Sequence, residues 1–393
     1  RGLAALKQAF PQAAVHAYTA TATSRVRDDI AAQLRLENPA MLVGSFDRPN
    51  LVYRVGRASK RFGQVCEIIK SHPNEAGIVY CISRKEVDKT AAGLSELGFR
   101  AAPYHAGLSD TERHRNQDDF IAERVDVIVA TVAFGMGIDK SNARFVIHAG
   151  LPKSLENYQQ ESGRAGRDGL EAECWLLHAG NDAMIWRRMI EDSETGAQAG
   201  ALEALAAMEA FCHSVECRHR AIVRHFGQEL DKDNCGACDV CLGELQTVDD
   251  PLVLAQKILS CVARRDQRFG ADYTAKVLCG SGEARITELG HDQLSTYGLL
   301  RDASATTVKG WIAQLVEQEF LTKSAEYHQL QLTSAGRELL RGNGRPQLLR
   351  PAERQRTPKS AADSWEGVDR GLFDALRQLR SSLAAEHNVP AYV

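Results

Sequence analysis

Val125-Asp126-Val127-Ile128-Val129-Ala130-Thr131-Val132 is an almost unbroken apolar run. A strand with one wet face alternates apolar and polar residues. A run like this one suits a strand covered on both faces, as in a parallel sheet with helices above and below. The same grammar repeats outward. Ile78-Val79-Tyr80-Cys81 precedes Ser83, an N-cap type with Glu86 three positions on, the pattern of a capping box. The helix opened there ends at Gly98, a natural residue just past a helix end. Ala101-Ala102-Pro103-Tyr104-His105 reads as the next strand, followed by a polar helix over about 109 to 123. Phe145-Val146-Ile147-His148 and Cys174-Trp175-Leu176-Leu177 add two more, and Val15-His16-Ala17-Tyr18 is another short β-branched run. This alternation predicts an α/β fold with a doubly wound parallel sheet.

At 393 residues the chain exceeds one core, and two to four domains are expected. A formal charge of -3 gives no bulk sign of nucleic-acid binding, so any such surface must be local. No stretch of eighteen apolar residues occurs, which excludes an apolar membrane-spanning helix. Residues 1 to 10 form a short amphipathic pattern rather than a signal peptide, and the absence of an initiator Met predicts a piece of a longer chain. Past residue 180 the composition changes. A helical region over 182 to 226 is interrupted near 195 to 200, and a cysteine cluster follows. A linker is expected near 247 to 251, then three helices and a hairpin over 252 to 340. The run from Arg341 to Lys359 holds five Arg and one acid, Glu353, and reads as a flexible basic linker. A new helical pattern begins at about 371. No internal repeat is found.

Of ten cysteines, Cys66, Cys81, Cys174, Cys261 and Cys279 stand singly among apolar neighbours and read as buried small hydrophobes. Cys217, Cys235, Cys238 and Cys241 are different. Cys235-x2-Cys238-x2-Cys241 places three thiols on one tight loop containing Gly236, with seventeen residues between Cys217 and Cys235. Four sulfurs at such spacing suit a closed, structural zinc site. Cys212, His213, His219 and His225 compete for the fourth place on spacing alone. A reducing cytoplasm is the expected compartment.

Gln160-Glu161-Ser162-Gly163-Arg164-Ala165-Gly166-Arg167-Asp168-Gly169 carries the chemistry. Arg164 and Arg167, three residues apart on a helix, share one face. Planar, permanently charged guanidinium groups suit a polyphosphate whose charge shifts as a bond breaks. In isolation such a pair is more often a solvated helix surface. Gly135 and Gly137 follow the strand ending near Val132 and let backbone crowd a phosphate. No G-x-x-x-x-G-K-[ST] occurs anywhere, so the lysine and magnesium-binding carboxylate of a phosphate loop are missing.

These segments resemble the RecQ family of superfamily 2 helicases. Gln160 to Gly169 resembles motif VI, and Ala130 to Lys140 resembles motif V. Tyr80-Cys81-Ile82-Ser83-Arg84 and Tyr104-His105-Ala106-Gly107-Leu108 resemble the motif IV region. Ser45-Phe46-Asp47-Arg48-Pro49-Asn50-Leu51 resembles the opening of the second RecA-like domain, and Thr19-Ala20-Thr21-Ala22 resembles motif III. Arg268-Phe269-Gly270, Gly290-His291 and Tyr297-Gly298 resemble landmarks of the family's winged helix, and Leu372-Phe373-Asp374 onward resembles the start of an HRDC domain.

The resemblance implies a multidomain α/β architecture: a RecA-like parallel sheet domain, a helical zinc-binding module and a winged-helix domain. Its expected boundaries are 1–40 for the tail of a first RecA-like domain, 41–204 for the second, 205–248 for zinc, 249–341 for the winged helix, 342–370 for a basic linker and 371–393 for a truncated HRDC start. It implies Arg167 as arginine finger with Arg164 bracing the nucleotide or partner domain, and Gly135, Gly137, Asp139 and Gln160 at the nucleotide. Ser83, Arg84, His105 and Thr131 would hold single-stranded DNA phosphates, and Arg301, Ser304, Thr306 and Lys309 duplex. Cys217, rather than Cys212, would complete the zinc site. Trp311 and the apolar stripe around it are core by either reading.

The implied activity is ATP-dependent DNA unwinding in recombination and repair, with structural Zn2+ and, in the longer protein, ATP and Mg2+. This chain alone should lack ATPase activity. Implied partners are single-stranded and duplex DNA, a single-stranded-DNA-binding protein and other repair proteins, with no membrane, in a bacterial cytoplasm near the nucleoid. A non-catalytic DNA-binding adapter and an RNA helicase are the rival readings.

Overall fold

The computed structural model of the protein describes residues 10, 12–36, 38–132, 134, 140–193, 198–324, 329–351 and 369–387. Gly135, Gly137 and Asp139 lie outside the described residues, as does the amphipathic stretch over 1–9. The chain divides into two compact units, one of Arg1–Glu209, Arg218–Cys241 and Arg354–Val393, the other of Ala210–Cys217 and Leu242–Glu353.

The first unit alternates strand and helix: α1 (Ser24–Gln33), β1 (Leu51–Arg57), α2 (Arg61–Lys70), β2 (Ala76–Tyr80), α3 (Arg84–Glu96), β3 (Ala101–Tyr104), α4 (Asp110–Ile121), β4 (Val127–Ala130), β5 (Ala143–His148), α5 (Leu155–Ser162), β6 (Ala172–His178) and α6 (Asp182–Glu191). Helices α7 (Gln198–His213) and α8 (Arg218–His225) follow. The strands form one sheet in the order β1-β6-β5-β2-β4-β3, every pair parallel. All four residues of β4 are buried, as its unbroken apolar run requires. Val79, Val127, Val129, Phe145 and Ile147 pack with Val65, Ile68 and Ile69 of α2 and Val87, Ala91 and Leu94 of α3. Gly77 makes room for this core, since a Cβ there would lie 2.1 Å from the Phe145 ring. Helix α3 starts where expected: Ser83 and Glu86 exchange both hydrogen bonds of the capping box, and Gly98 adopts φ +84° past its end.

Val15–Tyr18, expected as a strand, pairs with no strand among the described residues. Its β-branched character needs a sheet neighbour before it becomes a strand.

The second unit contains β7 (Leu245–Thr247), α9 (Pro251–Ala263), α10 (Ala271–Leu278), α11 (Ala284–Glu288), a 3-10 turn at His291–Gln293, α12 (Ala305–Glu317), β8 (Leu321–Lys323), β9 (Leu330–Leu332), α13 (Ser334–Leu340) and β10 (Leu349–Pro351). Strands β8 and β9 pair antiparallel as the expected hairpin. Val308, Trp311, Ile312 and Leu315 of α12 join Ile258, Leu259 and Val262 of α9 in its core. Two expected linkers are corrected here. Leu349–Pro351 pairs antiparallel with Leu245–Thr247, Leu348 is fully buried, and Pro251 is the first residue of α9 rather than part of a connector. The paired leucines anchor a run whose arginines made it look unstructured. Helix α14 (Arg370–Glu386) follows, with Arg380 3.0 Å from Glu123. No helix among the described residues is long and apolar enough to cross a membrane.

Candidate functional site

Strands β2, β4 and β3 are neighbours in the parallel sheet, so the loops after them emerge along one carboxyl edge, where open α/β sheets bind ligands. Ser83 and Arg84 follow β2, His105 follows β3 and Thr131 follows β4. The amide of Thr131 donates to Tyr104 O at 3.3 Å, joining two of these loops, and Arg84 is exposed. The Ser83 hydroxyl is engaged with Glu86 in the helix cap. His105 differs from its expected role. It is 5% exposed; Gly107 N–H donates to its Nδ1 at 3.0 Å, and its Nε2 lies 2.8 Å from Asp88 Oδ1. With both ring nitrogens engaged, His105 shapes the loop rather than offering a free donor to a phosphate.

The arginine pair is also placed differently from expectation. Helix α5, capped by Ser154, stops at Ser162, and Arg164 and Arg167 lie in the turns beyond it, not on one helical face. Gly166 turns the backbone at φ +55°, and a Cβ there would lie 2.5 Å from Asn50 Nδ2 and 2.7 Å from Leu170 O. Two side chains without an assigned role in the sequence reading hold this loop. Arg48 donates to the carbonyls of Gly163, Ala165 and Gly166 at 3.3, 3.2 and 3.0 Å. Asn50 donates to Gly166 O and Leu170 O at 2.8 and 2.9 Å. Their only sequence signal is the likeness of the segment Ser45 to Leu51 to a known opening motif. The outcome is asymmetric: Arg164 is buried, with its Nε lacking a hydrogen-bond partner, whereas Arg167 is exposed. Gln160 is exposed on the last turn of α5. The hydrogen bond from His225 pulls the Glu156 carboxyl down to about 2 against partial burial, fastening α8 to α5.

The thiol sulfurs of Cys217, Cys235, Cys238 and Cys241 all lie within 4.8 Å of one another. Four sulfurs about 2.3 Å from a tetrahedral zinc stand roughly 3.8 Å apart, so the set fits that ion. The chemistry agrees: Ala237 N–H points at Cys235 Sγ at 3.3 Å and Cys241 N–H at Cys238 Sγ at 3.4 Å, contacts that favour thiolates. Cys212 is not in the cluster, and His219 and His225 are occupied elsewhere: His219 by Asp47, Leu51 O and Ala237 O, His225 by Glu156.

The cysteine loop is docked on β1, the edge strand. Tyr53 N–H donates to Ala237 O at 3.1 Å and Asp239 N–H to Tyr53 O at 2.9 Å, continuing the parallel ladder by one bridge to Cys238. Asp239 is 2% exposed and receives Arg218 Nε at 2.8 Å, Val55 N–H at 2.9 Å and Val240 N–H at 2.8 Å. Sequence reading missed both partners of this ion pair.

In the second unit, Arg301, Ser304 and Thr306 are exposed near the start of α12. Ser304 caps that helix through Thr307, Arg301 Nε returns to Gly298 O at 3.2 Å, and Lys309 pairs with Asp272 at 2.9 Å.

Three family models match in order along the chain: Helicase conserved C-terminal domain over 60–169, RecQ zinc-binding over 180–242 and RQC domain over 246–357. The ATP-dependent DNA helicase RecQ of Pasteurella multocida is 38% identical over 100% of this chain and 62% of its own length. Its counterpart in Bacillus subtilis is 39% identical over 96% of this chain and 63% of its own length. That of Haemophilus influenzae is 38% identical over 100% of this chain and 64% of its own length. The chain thus spans somewhat under two thirds of these relatives. A RecA-like sheet whose edge strand carries a three-cysteine loop, which with Cys217 fits a structural zinc, and a winged-helix unit in the same chain place the protein in the RecQ family of helicases.

Proposed function

We propose that this chain is the rear part of an ATP-driven DNA helicase, supplying the second RecA-like half of the motor together with its zinc and winged-helix modules. The observation that carries the reading is the Arg164–Arg167 loop. Arg48 and Asn50 hold its carbonyls, and Arg167 is exposed at its tip. A DNA-binding adapter has no use for such a loop. ATP with Mg2+ would bind between this half and one bearing a phosphate loop. Arg167 would act as the arginine finger, answering charge that develops on the transferred phosphate, and Arg164 would hold the loop from within. Gly135, Gly137, Asp139 and Gln160 complete the proposed nucleotide side, and Ser83, Arg84 and Thr131 the single-strand side, a sequence-blind phosphate contact. His105 enters as a residue that shapes its loop. The four cysteines would supply a cross-link rather than chemistry. The same reading puts the protein with single-stranded and duplex DNA at the nucleoid, beside a protein that coats the strands it exposes and other repair proteins.

The test uses a protein in which a phosphate-loop half precedes this chain. ATP affinity and DNA-stimulated turnover are measured for wild type, Arg164→Ala and Arg167→Ala. Arg167→Ala should keep nucleotide affinity and lose on the order of 10³-fold in turnover. Near-normal turnover in both variants removes the motor assignment. Stimulation by RNA rather than DNA transfers it to an RNA helicase. The present chain, without a phosphate loop, should show no ATPase activity.

A further inference from the structure

The segment from Gly44 to Asn50, just ahead of β1, forms neither helix nor strand, so other parts of the chain must satisfy its polar groups. On one side stands α8. Gln228, just past the end of that helix, donates from Nε2 to Gly44 O at 2.8 Å and accepts the Phe46 N–H at 2.9 Å. The Phe46 ring stacks on the fully buried Phe226, with centroids 4.2 Å apart and planes at 9°. His219 is 2.7 Å from Asp47 Oδ1, and its Nε2 lies 3.0 Å from Leu51 O. On the other side stand α5 and the loop beyond it. Gln159 donates to Phe46 O at 3.0 Å. Arg48 and Asn50 then reach the carbonyls of Gly163, Ala165, Gly166 and Leu170.

Carbonyls past the end of a helix have no partner within it, and they carry the negative end of its dipole. The Arg48 guanidinium is planar and permanently charged, so its fork holds several of them at once. An ammonium group in its place would keep the charge and lose the fork. The Gln228 amide is different: both of its bonds go to Gly44 and Phe46, and among the described residues its side chain makes none to the loop after α5. His225 also fastens α8 to Glu156, but that contact lies on the first turn of α5, at the far end from the loop. A short segment gripped at nearly every residue has little room to yield within itself. A shift of α8 therefore reaches the loop through Arg48.

We propose that residues 44–51 are a strap through which α8 sets the position of the Arg164–Arg167 loop, with Arg48 as the positioning residue. The importance of that position for phosphate chemistry rests on the motor reading above; the mechanical coupling does not.

Hydrogen exchange on the full chain tests the coupling in wild type, Arg48→Lys and Gln228→Ala. The amides of Gly163, Ala165 and Gly166 donate to Gln159 O, Ser162 O and Ala143 O, so their exchange reports on the loop. Arg48→Lys should speed exchange over Gly163 to Leu170 roughly tenfold, as expected for the loss of charge-assisted hydrogen bonds. Gln228→Ala should speed the same peptide, although the altered side chain does not bond to it. The double variant should exchange no faster than Arg48→Lys alone, because both changes act through one strap. Peptides of β3 and β4 should keep their wild-type rates throughout. An unchanged loop in either single variant, additive effects in the double variant, or faster exchange across the whole sheet would overturn the proposal. If Arg48→Lys does not fold, Gln228→Ala decides the matter: a loosened loop beside unchanged β3 and β4 supports the strap, and an unchanged loop sinks it.

In the protein with a phosphate-loop half, Arg48→Lys should lower DNA-stimulated kcat several-fold with KM for ATP unchanged. A loosened loop with a wild-type kcat would remove the positioning role. Near-normal turnover in both Arg164→Ala and Arg167→Ala would instead remove the motor reading and leave the exchange result standing on its own.

Discussion

Asp239 stands in the sequence as one polar residue between two expected ligands, with nothing to distinguish it. In the fold it is among the most heavily engaged carboxylates, held by Arg218 and two backbone amides against β1. A buried ion pair adds little over apolar replacements, but breaking one strands a charge. Asp239→Ala should therefore cost about 3–5 kcal/mol, read from denaturant midpoints. The double replacement Arg218→Met with Asp239→Leu should cost less than either single loss. A single-variant cost under about 1 kcal/mol would contradict the buried pairing. Residue-scale reading succeeded where the signal was local. The thiols of Cys235, Cys238 and Cys241 were legible as one centre from their spacing, whereas the choice of Cys217 over Cys212 came from the family resemblance; the structure brings all four together. It failed where partners are distant: Arg48 meets carbonyls more than a hundred positions away, and no local pattern announces that. The arginine pair was placed on a helix on the strength of its three-residue spacing; the helix stops at Ser162, with Gly163 as its C-cap and Gly166 turning the backbone.

Among the elements, the turn after α2 is clasped to the sheet through ionisable groups. His72 lies between Glu75 at 2.7 Å and Glu173 at 3.3 Å, and Glu173 also takes Arg54 at 2.7 Å. Burial opposes the charge on His72, but hydrogen bonds to Glu173 and Glu75 prevail and raise it to about 9. Burial likewise opposes ionisation of Glu173, yet His72 and Arg54 hold it near 2. A histidine raised in the folded state contributes fully below its unfolded value of about 6.5, and that contribution is lost as pH climbs toward 9. The depressed carboxylate adds stability above about 4.5, lost as pH falls toward 2. The shared interaction counts once, on the order of 3 kcal/mol at most. Unfolding free energy should fall between pH 6.5 and 9, and His72→Gln should flatten that slope; an unchanged slope in the variant contradicts the clasp. Such a clasp was invisible in the sequence, whereas the capping box of α3 and the buried β4 were legible because caps and periodicity are local. Strand β10 was hidden for the opposite reason, two apolar residues submerged in a basic run.

For the whole molecule, a net charge of -3 means that any affinity for DNA must come from clustered cations. Arg301 and the start of α12 offer one exposed set. The chain should bind duplex without sequence preference, through phosphates. About five such contacts would cost roughly 10²–10³ in affinity over a fourfold rise in salt. Titration of labelled duplex at several salt concentrations measures the slope, and Arg301→Ala should reduce it by about one. Salt-independent binding, or strong preference for one sequence, would exclude this surface.

The docking of the cysteine loop on β1 also bears on solubility. An open strand edge is a template for pairing with other chains, and proteins blunt such edges by covering them. Here the cover is a short loop, which an ion held by the four cysteines would cross-link. Without that cross-link the cover would rest on hydrogen bonds such as those of Tyr53 and on the Arg218–Asp239 pair, so chelation of zinc should raise self-association, read as a concentration-dependent increase in particle size. A metal at that site would then guard against self-association as well as hold the fold.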